Sequence, residues 1–185
     1  MKIHLNLTKQ DPSELLAPLQ KAFSLAPESL TIEIMGPGII MHDTALMLYD
    51  EICNRPPGLK VHAFSRTCLI DGAILLWLAA DTRSIRPDGW IQISRPSEKF
   101  APLHMPPEIE RNYSTAILAD EEAPNDTDLR TIHRHLGQWL PVNEIVGLRL
   151  FPADLTQLGL IDDAASLQEL DSLFCYASSL PSHSS

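Results

Sequence analysis

Short extended segments alternate with apolar helical segments along the first half of this chain. The extended segments are rich in aliphatic residues, and the helical segments repeat apolar side chains every three or four residues. Strands joined in this way form a largely parallel sheet, because each intervening helix crosses over between neighbouring strands with a right-handed connection. The alternation therefore predicts an α/β domain.

The alternation predicts three strand–helix pairs and a fourth extended segment. The predicted elements are strand 2–7, a helix from Pro12, strand 30–35, helix 44–53, strand 59–64 and helix 73–80. The last of these helices is apolar on all sides, as a helix buried between two layers must be. The fourth extended segment covers residues 84–94 and contains a bend at 87–89.

The second half of the chain is less regular. Residues 97–126 contain several prolines and an acidic run, which predicts an irregular insertion. Order returns with a predicted helix at 128–139, a strand at 146–151 and a short helix that stops at Gly159. The small polar residues 178–185 predict a disordered tail. We therefore expect a single domain over residues 1–177.

Charge and composition exclude several classes of function. The formal net charge of −10 repels phosphate backbones and anionic membrane surfaces, so neither nucleic acid nor a membrane is an expected partner. No window reaches the roughly 18 apolar residues that a membrane span needs. Three cysteines without a CxxC motif predict reduced, mostly buried thiols, and no metal site or cofactor motif is present. We expect a soluble, cytoplasmic protein without a cofactor.

Four segments share an order and spacing with one known group of proteins. They are IEIMGPGIIMHDTALMLYDEI, GLKVHAFSRTCLIDGAILLWLAA, WIQISRP and LFPADLTQLGLID. Together they resemble the proteolytic subunit of the Clp protease family, within the wider Clp-protease and crotonase group. The resemblance implies a Clp-protease/crotonase-like spiral of β-β-α units with a mainly parallel sheet. It also places residues 97–126 in the handle region of the family.

Particular motifs carry this resemblance. Residues 35–39 resemble the serine-proline-glycine-glycine loop that ends the second strand of the family, and residues 49–50 resemble a tyrosine–aspartate pair on the next helix. The alanine-serine-methionine-glycine-alanine elbow of the family falls on residues 69–73. Its late glycine-leucine-valine-aspartate falls on residues 159–162.

The resemblance places the catalytic triad of the family on residues that cannot form one. The serine nucleophile falls on Ile70, the histidine base on Ser94, and the aspartate on or near Gly147. Ile70 has no nucleophilic atom, and Ser94 cannot accept a proton near neutral pH. We therefore predict a catalytically inactive Clp-protease-like protein, a pseudoprotease with a structural, assembly or binding role.

Two other functions stay open. One is a crotonase-like small-molecule enzyme or ligand binder that uses the oxyanion loops near Gly38 and Gly72, with Asp71 or another acid as base. The candidate pocket residues for an oxyanion or ligand are Gly36, Gly38, Ile39, His42, Asp71 and Gly72. The other is a serine-type peptidase with a displaced triad.

Several side chains also have simple structural interpretations. Asp71 is predicted to cap the helix that follows it, because a carboxylate there satisfies free amides. Cys68 is interpreted as a small buried residue and His62 as a packed or edge residue. His133 and His135 lie two residues apart on a helix, so they cannot chelate one ion, and both are expected on a solvated face.

The resemblance also bears on assembly, because subunits of the family form rings that a handle joins face to face. The prolines and acidic residues of 97–126 disfavour that stacking. The chain starts directly on its first strand, without the axial loops by which the family engages an unfoldase, so an unfoldase motor partner is doubtful. The apolar helices 45–52 and 73–80 predict a homo-oligomer smaller than the double ring.

Overall fold

The computed structural model describes residues 1–9, 11–94 and 127–161. The strands in these ranges are β1 (Lys2–Asn6), β2 (Ser29–Met35), β3 (Lys60–Ser65), β4 (Leu69–Ile70), β5 (Thr82–Ile85), β6 (Ile91–Gln92) and β7 (Arg149–Leu150). The helices are α1 (Pro12–Ser24), α2 (His42–Cys53), α3 (Gly72–Leu78), α4 (Thr127–Leu136), α5 (Val142–Ile145) and α6 (Pro152–Gln157).

The first sheet has four parallel strands in the order β1-β2-β3-β5. Its registers place Leu5 beside Ile34 and Ile32 beside Ala63, so aliphatic side chains of neighbouring strands form one continuous face. These residues are fully buried in the core, to which α1, α2 and α3 also contribute. The predicted α/β architecture with a mainly parallel sheet is confirmed.

Local signals account for the first helix. Asp11 precedes α1, and its carboxylate accepts a hydrogen bond from the Ser13 N–H. Pro12 occupies the first helical turn, where a missing N–H costs nothing. The buried residues Leu15 and Leu19 then lie one helical turn apart and face the core.

The second sheet is small and holds the elbow of the chain. Its order is β4-β6-β7, with β4 parallel to β6 and β6 antiparallel to β7. The prediction of one extended segment over 84–94 is wrong, because the chain changes sheets within it. The Arg86 N–H still bonds to Ser65 in the first sheet, whereas the Trp90 carbonyl accepts from Leu69 in the second. A turn at Pro87–Asp88 separates β5 from β6.

Helix α3 is buried on every side, as its composition predicts. A Cβ atom on Gly72 would lie 2.8 Å from the Ala45 Cβ, so a glycine is needed where α3 meets α2. The apolar residues of α2 also face the core of the same chain, including Leu48 and Ile52. Helix α3 therefore provides no exposed apolar surface, and Met47 of α2 is an exposed apolar residue of the helices from which the sequence predicted an oligomer.

The later elements are shorter than the patterns predict. Helix α4 ends at Leu136 and not at 139. The predicted strand at 146–151 is reduced to Arg149–Leu150, because α5 precedes it and Gly147 turns the backbone with a φ of 81°. The predicted insertion at 97–126 and tail at 178–185 lie outside the described residues. Within the described ranges, no helix is both long enough and apolar enough to cross a lipid bilayer.

Candidate functional site

A strained bend joins β4 to α3. Its central residue is Asp71, with a φ of 44° and a ψ of −110°, a conformation that costs a residue with a side chain about 1–3 kcal/mol. Hydrogen bonds hold the bend on both sides. The Ile70 N–H donates to the Gly38 carbonyl at 2.9 Å, and the Asp71 N–H donates to the Gln92 carbonyl at 3.2 Å. A strained strand-to-helix turn of this kind presents the nucleophile in α/β-hydrolases.

The loop after β2 lies directly against this bend. Gly38 has a φ of 69°, and a Cβ atom there would lie 1.6 Å from the Cys68 carbonyl oxygen. Only glycine permits such an approach. Gly38 and Gly72 thus lie on the two sides of Ile70 and Asp71.

The other predicted pocket residues are Gly36, Ile39 and His42, which follow β2 and lead into α2. Gly36 packs near Asn6 and Thr8 at the end of β1. Ile39 is half-buried. His42 begins α2, where its Nε2 lies 2.6 Å from a carboxylate oxygen of Asp43.

The Asp71 carboxylate does not cap α3, so that prediction is wrong. The side chain is 2 % exposed and turns toward β6. Its Oδ1 accepts a hydrogen bond from the Ser94 N–H at 2.8 Å, while its Oδ2 has no hydrogen-bond partner among the described residues. The bend therefore holds a buried carboxylate that is bonded through one oxygen.

His133 of α4 faces this carboxylate. Its side chain is 11 % exposed, and its Nε2 lies 3.8 Å from Asp71 Oδ1. The prediction of a solvated face is wrong for both histidines of α4, because His135 is half-buried, lies 3.0 Å from the Thr131 carbonyl and packs edge-on against Tyr49. The two rings do point to different sides, but both sides of the helix are packed.

Sequence reasoning missed His133 as a site residue, although a weak signal was present. Ile132 and Leu136 mark the buried side of α4, with 2 % and 0 % exposure. His133 is next to that stripe, which places its ring at the edge of the core. Nothing in the local sequence identifies Asp71 as its neighbour.

The three positions that the resemblance assigned to a triad lie in or next to the strands of the second sheet. Ile70 pairs with Gln92 across β4 and β6, and its side chain is buried. Ser94 follows β6 and is bonded to Asp71 through its backbone N–H. The Gly147 N–H donates to the Ile93 carbonyl at 2.6 Å, immediately before Ser94.

The described cysteines are poor nucleophiles. Cys68 is half-buried, and burial raises the pKa of its thiol. Burial also raises the pKa of Cys53, although this residue is exposed and the expectation of a buried thiol is wrong for it. Both therefore remain mainly as thiols near neutral pH.

In the first sheet, the imidazole of His62 contacts a serine hydroxyl. His62 Nε2 lies 2.9 Å from Ser84 Oγ, and its Nδ1 lies 2.9 Å from Thr82 Oγ1. Burial lowers the pKa of His62. The ring is thus packed between β3 and β5, as predicted, and Ser84 is 1 % exposed.

A cleft of about 460 Å³ adjoins α4 and α5. His133 lines it, together with Arg134, Gly137, Asn143 and Glu144. Residues 1–9, 11–94 and 127–161 contain no group of three or more histidine, cysteine, aspartate or glutamate side chains that could hold a metal ion.

No model of a known protein family and no curated protein matches the sequence. A mutant form of ClpP1 from Listeria monocytogenes is similar in structure, with a TM-score of 0.59 and 15% identity over 86% of this chain and 88% of that chain.

Two further solved structures agree with the first. The ClpP protease catalytic domain from Plasmodium falciparum has a TM-score of 0.54 and 16% identity over 87% of this chain and 82% of that chain. ClpP1 from Listeria monocytogenes has a TM-score of 0.52 and 14% identity over 89% and 94%. With its mainly parallel sheet and its strand-to-helix elbow, the chain has the Clp-protease fold.

Proposed function

We propose that this chain is a Clp-fold protein without serine-peptidase activity, and that it has a structural, assembly or binding role. The observation that carries the proposal is the chemistry of the bend between β4 and α3. Its strained residue is Asp71, and the residue before it is the buried Ile70. Neither side chain offers a hydroxyl or a thiol to a peptide carbonyl.

Serines elsewhere in the described ranges do not replace this position. Ser94 Oγ makes no hydrogen bond to an imidazole there, and its N–H is already bonded to Asp71. Ser84 does contact His62, but Ser84 is buried and the far nitrogen of the ring meets the hydroxyl of Thr82 instead of a carboxylate. Within the described residues, the Ser84–His62 contact therefore lacks both access and an orienting acid.

Labelling with a fluorophosphonate probe tests the absence of peptidase chemistry. We expect no labelled serine and no cleavage of casein or fluorogenic peptides, because activated serine hydroxyls are the groups that react. Stoichiometric labelling would contradict the proposal. Ser84→Ala and Ser94→Ala variants would then show which of the two hydroxyls reacts, and a denatured sample gives the background.

Assembly and location form part of the same proposal. Leu148 and Phe151 are large apolar residues that stay about half exposed at β7 and the start of α6, which supports a homo-oligomer. The free Cys53 and Cys68 support a reducing compartment, the cytoplasm.

A small-molecule binder is the second candidate, and one observation favours it. The Asp71 carboxylate is buried next to Gly72, its Oδ1 lies 3.8 Å from His133 Nε2, and its Oδ2 has no hydrogen-bond partner among the described residues. A carboxylate next to an imidazole is a pair of groups that acid–base chemistry can use.

A further inference from the structure

One face of the first sheet carries basic side chains, although the chain as a whole is acidic. Successive side chains of a strand lie on opposite faces, so alternate residues of β1, β2 and β3 point away from the apolar core. Exposed basic residues on this side lie in the strands or directly after them. They form the basic face, which consists of Lys2, Lys60, Arg66 and Arg86. A chain with a formal net charge of −10 thus concentrates positive charge on one surface.

Two carboxylates neutralise only part of this charge. Glu33 is fully buried on the same side of β2 and pairs with three basic side chains, those of Lys2, His4 and Arg66. The exposed carboxylate of Asp88 pairs with Arg86. Four formal positive charges therefore meet two negative ones, and the basic face keeps an excess of positive charge.

The outer side of α2 has the opposite charge. Asp43, Met47 and Asp50 are spaced by four and three residues, so they lie on one side of the helix, and all three are exposed. The sequence of α2 contains no lysine and no arginine. These three residues form the acidic stripe, in which an apolar side chain lies between two carboxylates.

The basic face and the acidic stripe point in opposite directions. Leu48 and Ile52, on the inner side of α2, belong to the same apolar core as Ile32 of β2. The core therefore lies between the sheet and the helix, with the basic face outside the one and the acidic stripe outside the other. The two surfaces cannot meet within one molecule, but the stripe of one copy can meet the face of the next.

We propose that copies of this chain associate head to tail, with the acidic stripe of one copy on the basic face of its neighbour. The inference rests on the homo-oligomer of the proposed function and names the surfaces that join the copies. Opposite charges attract at this contact, whereas a two-fold axis through the basic face would bring like charges together. Met47 in the stripe and the half-buried Met35 at the end of β2 add apolar area to the contact.

Light scattering at two salt concentrations tests whether charge holds the copies together. Raising NaCl from about 0.1 M to about 1 M shortens the Debye length from about 10 Å to about 3 Å, so the mean mass should fall at least about twofold. An oligomer whose mass does not change overturns this proposal, but not association through Leu148 and Phe151. A monomer at both concentrations overturns both.

Charge reversal tests the two surfaces. Lys60→Glu with Arg86→Glu makes the basic face acidic, and Asp43→Lys with Asp50→Lys makes the acidic stripe basic. Each double variant alone should have at most about half the wild-type mass, because its face and stripe then carry like charges. An equimolar mixture should regain the wild-type mass and contain both variants in equal numbers, since every contact again joins opposite charges. A mixture that stays at the mass of the separate variants overturns the proposal.

Lys21→Glu with Arg134→Glu is the matched control, because it changes the net charge equally at exposed positions outside the basic face. The control should keep the wild-type mass. A loss equal to that of the face variant would show an effect of net charge alone and overturn the assignment. The salt experiment uses the unaltered chain, so it decides the question if a variant does not fold. The fluorophosphonate result is independent of all these measurements.

Discussion

Asp71 is energetically unfavourable in two ways, one in its backbone and one in its side chain. Its backbone has a positive φ, and its carboxylate is almost fully buried, with one oxygen that has no partner among the residues the structure describes. Each cost is of the order of 1–3 kcal/mol in proteins. A fold retains such a residue only where the surrounding bonds hold it, as those from Ser94 and to Gln92 do here.

Adding a single Cβ atom at Gly38 should change the stability of the protein. Gly38→Ala should destabilise the protein by several kcal/mol, because the new atom overlaps the Cys68 carbonyl and φ is 69°. Gly159→Ala is a matched control, with a φ of 68° and no atom within 4 Å of the added Cβ. It should cost only the left-handed strain, about 1–2 kcal/mol. Urea-induced unfolding measures the free energy of unfolding of both variants. Equal losses would show that the contact between residue 38 and the Cys68 carbonyl is unimportant.

At the scale of elements, the side chain of Arg55 links the ends of two helices to the start of a strand. Its guanidinium donates to the carbonyls of Ile52, Leu59 and Ala79 and to the Asp81 carboxylate. The end of α2, the start of β3 and the end of α3 are thereby held at one point. Their mutual position depends on this one side chain as well as on apolar packing.

Arg55→Met keeps the apolar stem and removes these bonds. We expect a loss of about 2 kcal/mol or more in unfolding free energy, since hydrogen bonds to charged groups are worth about 1.5–3 kcal/mol each and exposure of the ion pair reduces part of this. Arg149→Met is the control. Arg149 is exposed and stacks 4.5 Å from the Trp90 ring, a contact worth about 0.5–1 kcal/mol. A larger loss for Arg149→Met would refute the assignment of Arg55.

The contact between β3 and β5 predicts a pH dependence. Burial lowers the pKa of His62 below its usual 6.5, so the unfolded chain binds the proton more readily than the folded one. The stability that neutral His62 contributes is present above about pH 6.5 and is lost as the pH falls through the lower folded pKa. The difference in unfolding free energy between wild type and His62→Gln should therefore decrease from pH 7 to acidic pH. A difference that is constant with pH would contradict this sign.

At the scale of the whole molecule, we predict a homo-oligomer smaller than a double ring. Most apolar residues of α2 and all residues of α3 are buried within the chain, so the prediction now depends mainly on the exposed Leu148 and Phe151. Light scattering at micromolar concentration measures the mass, and a monomer or a double-ring mass would each refute the prediction. Glutamate at both positions should lower the mass, whereas Leu25→Glu, at an exposed residue that ends α1, should not.

Much of the first sheet could be predicted because its information is local. The period of apolar residues in α1, and the aliphatic runs of β2 and β3, identify both the type of element and the buried face. The prediction of one extended segment over residues 84–94 is wrong because the information that decides it is not local. Whether residues 84–94 stay in one sheet depends on partners such as Ser65 and Leu69, and no local pattern specifies a partner.

The sequence by itself determined the alternation of strands and helices and the side chain at each position of the bend, because both are properties of neighbouring residues. It thereby determined that Ile70 and Asp71 carry no hydroxyl or thiol. Only the tertiary structure decided that Asp71 turns away from its helix, binds the Ser94 N–H and faces His133. That arrangement depends on how α4 packs against the bend, and such packing is the sum of many weak contacts between residues far apart in the chain.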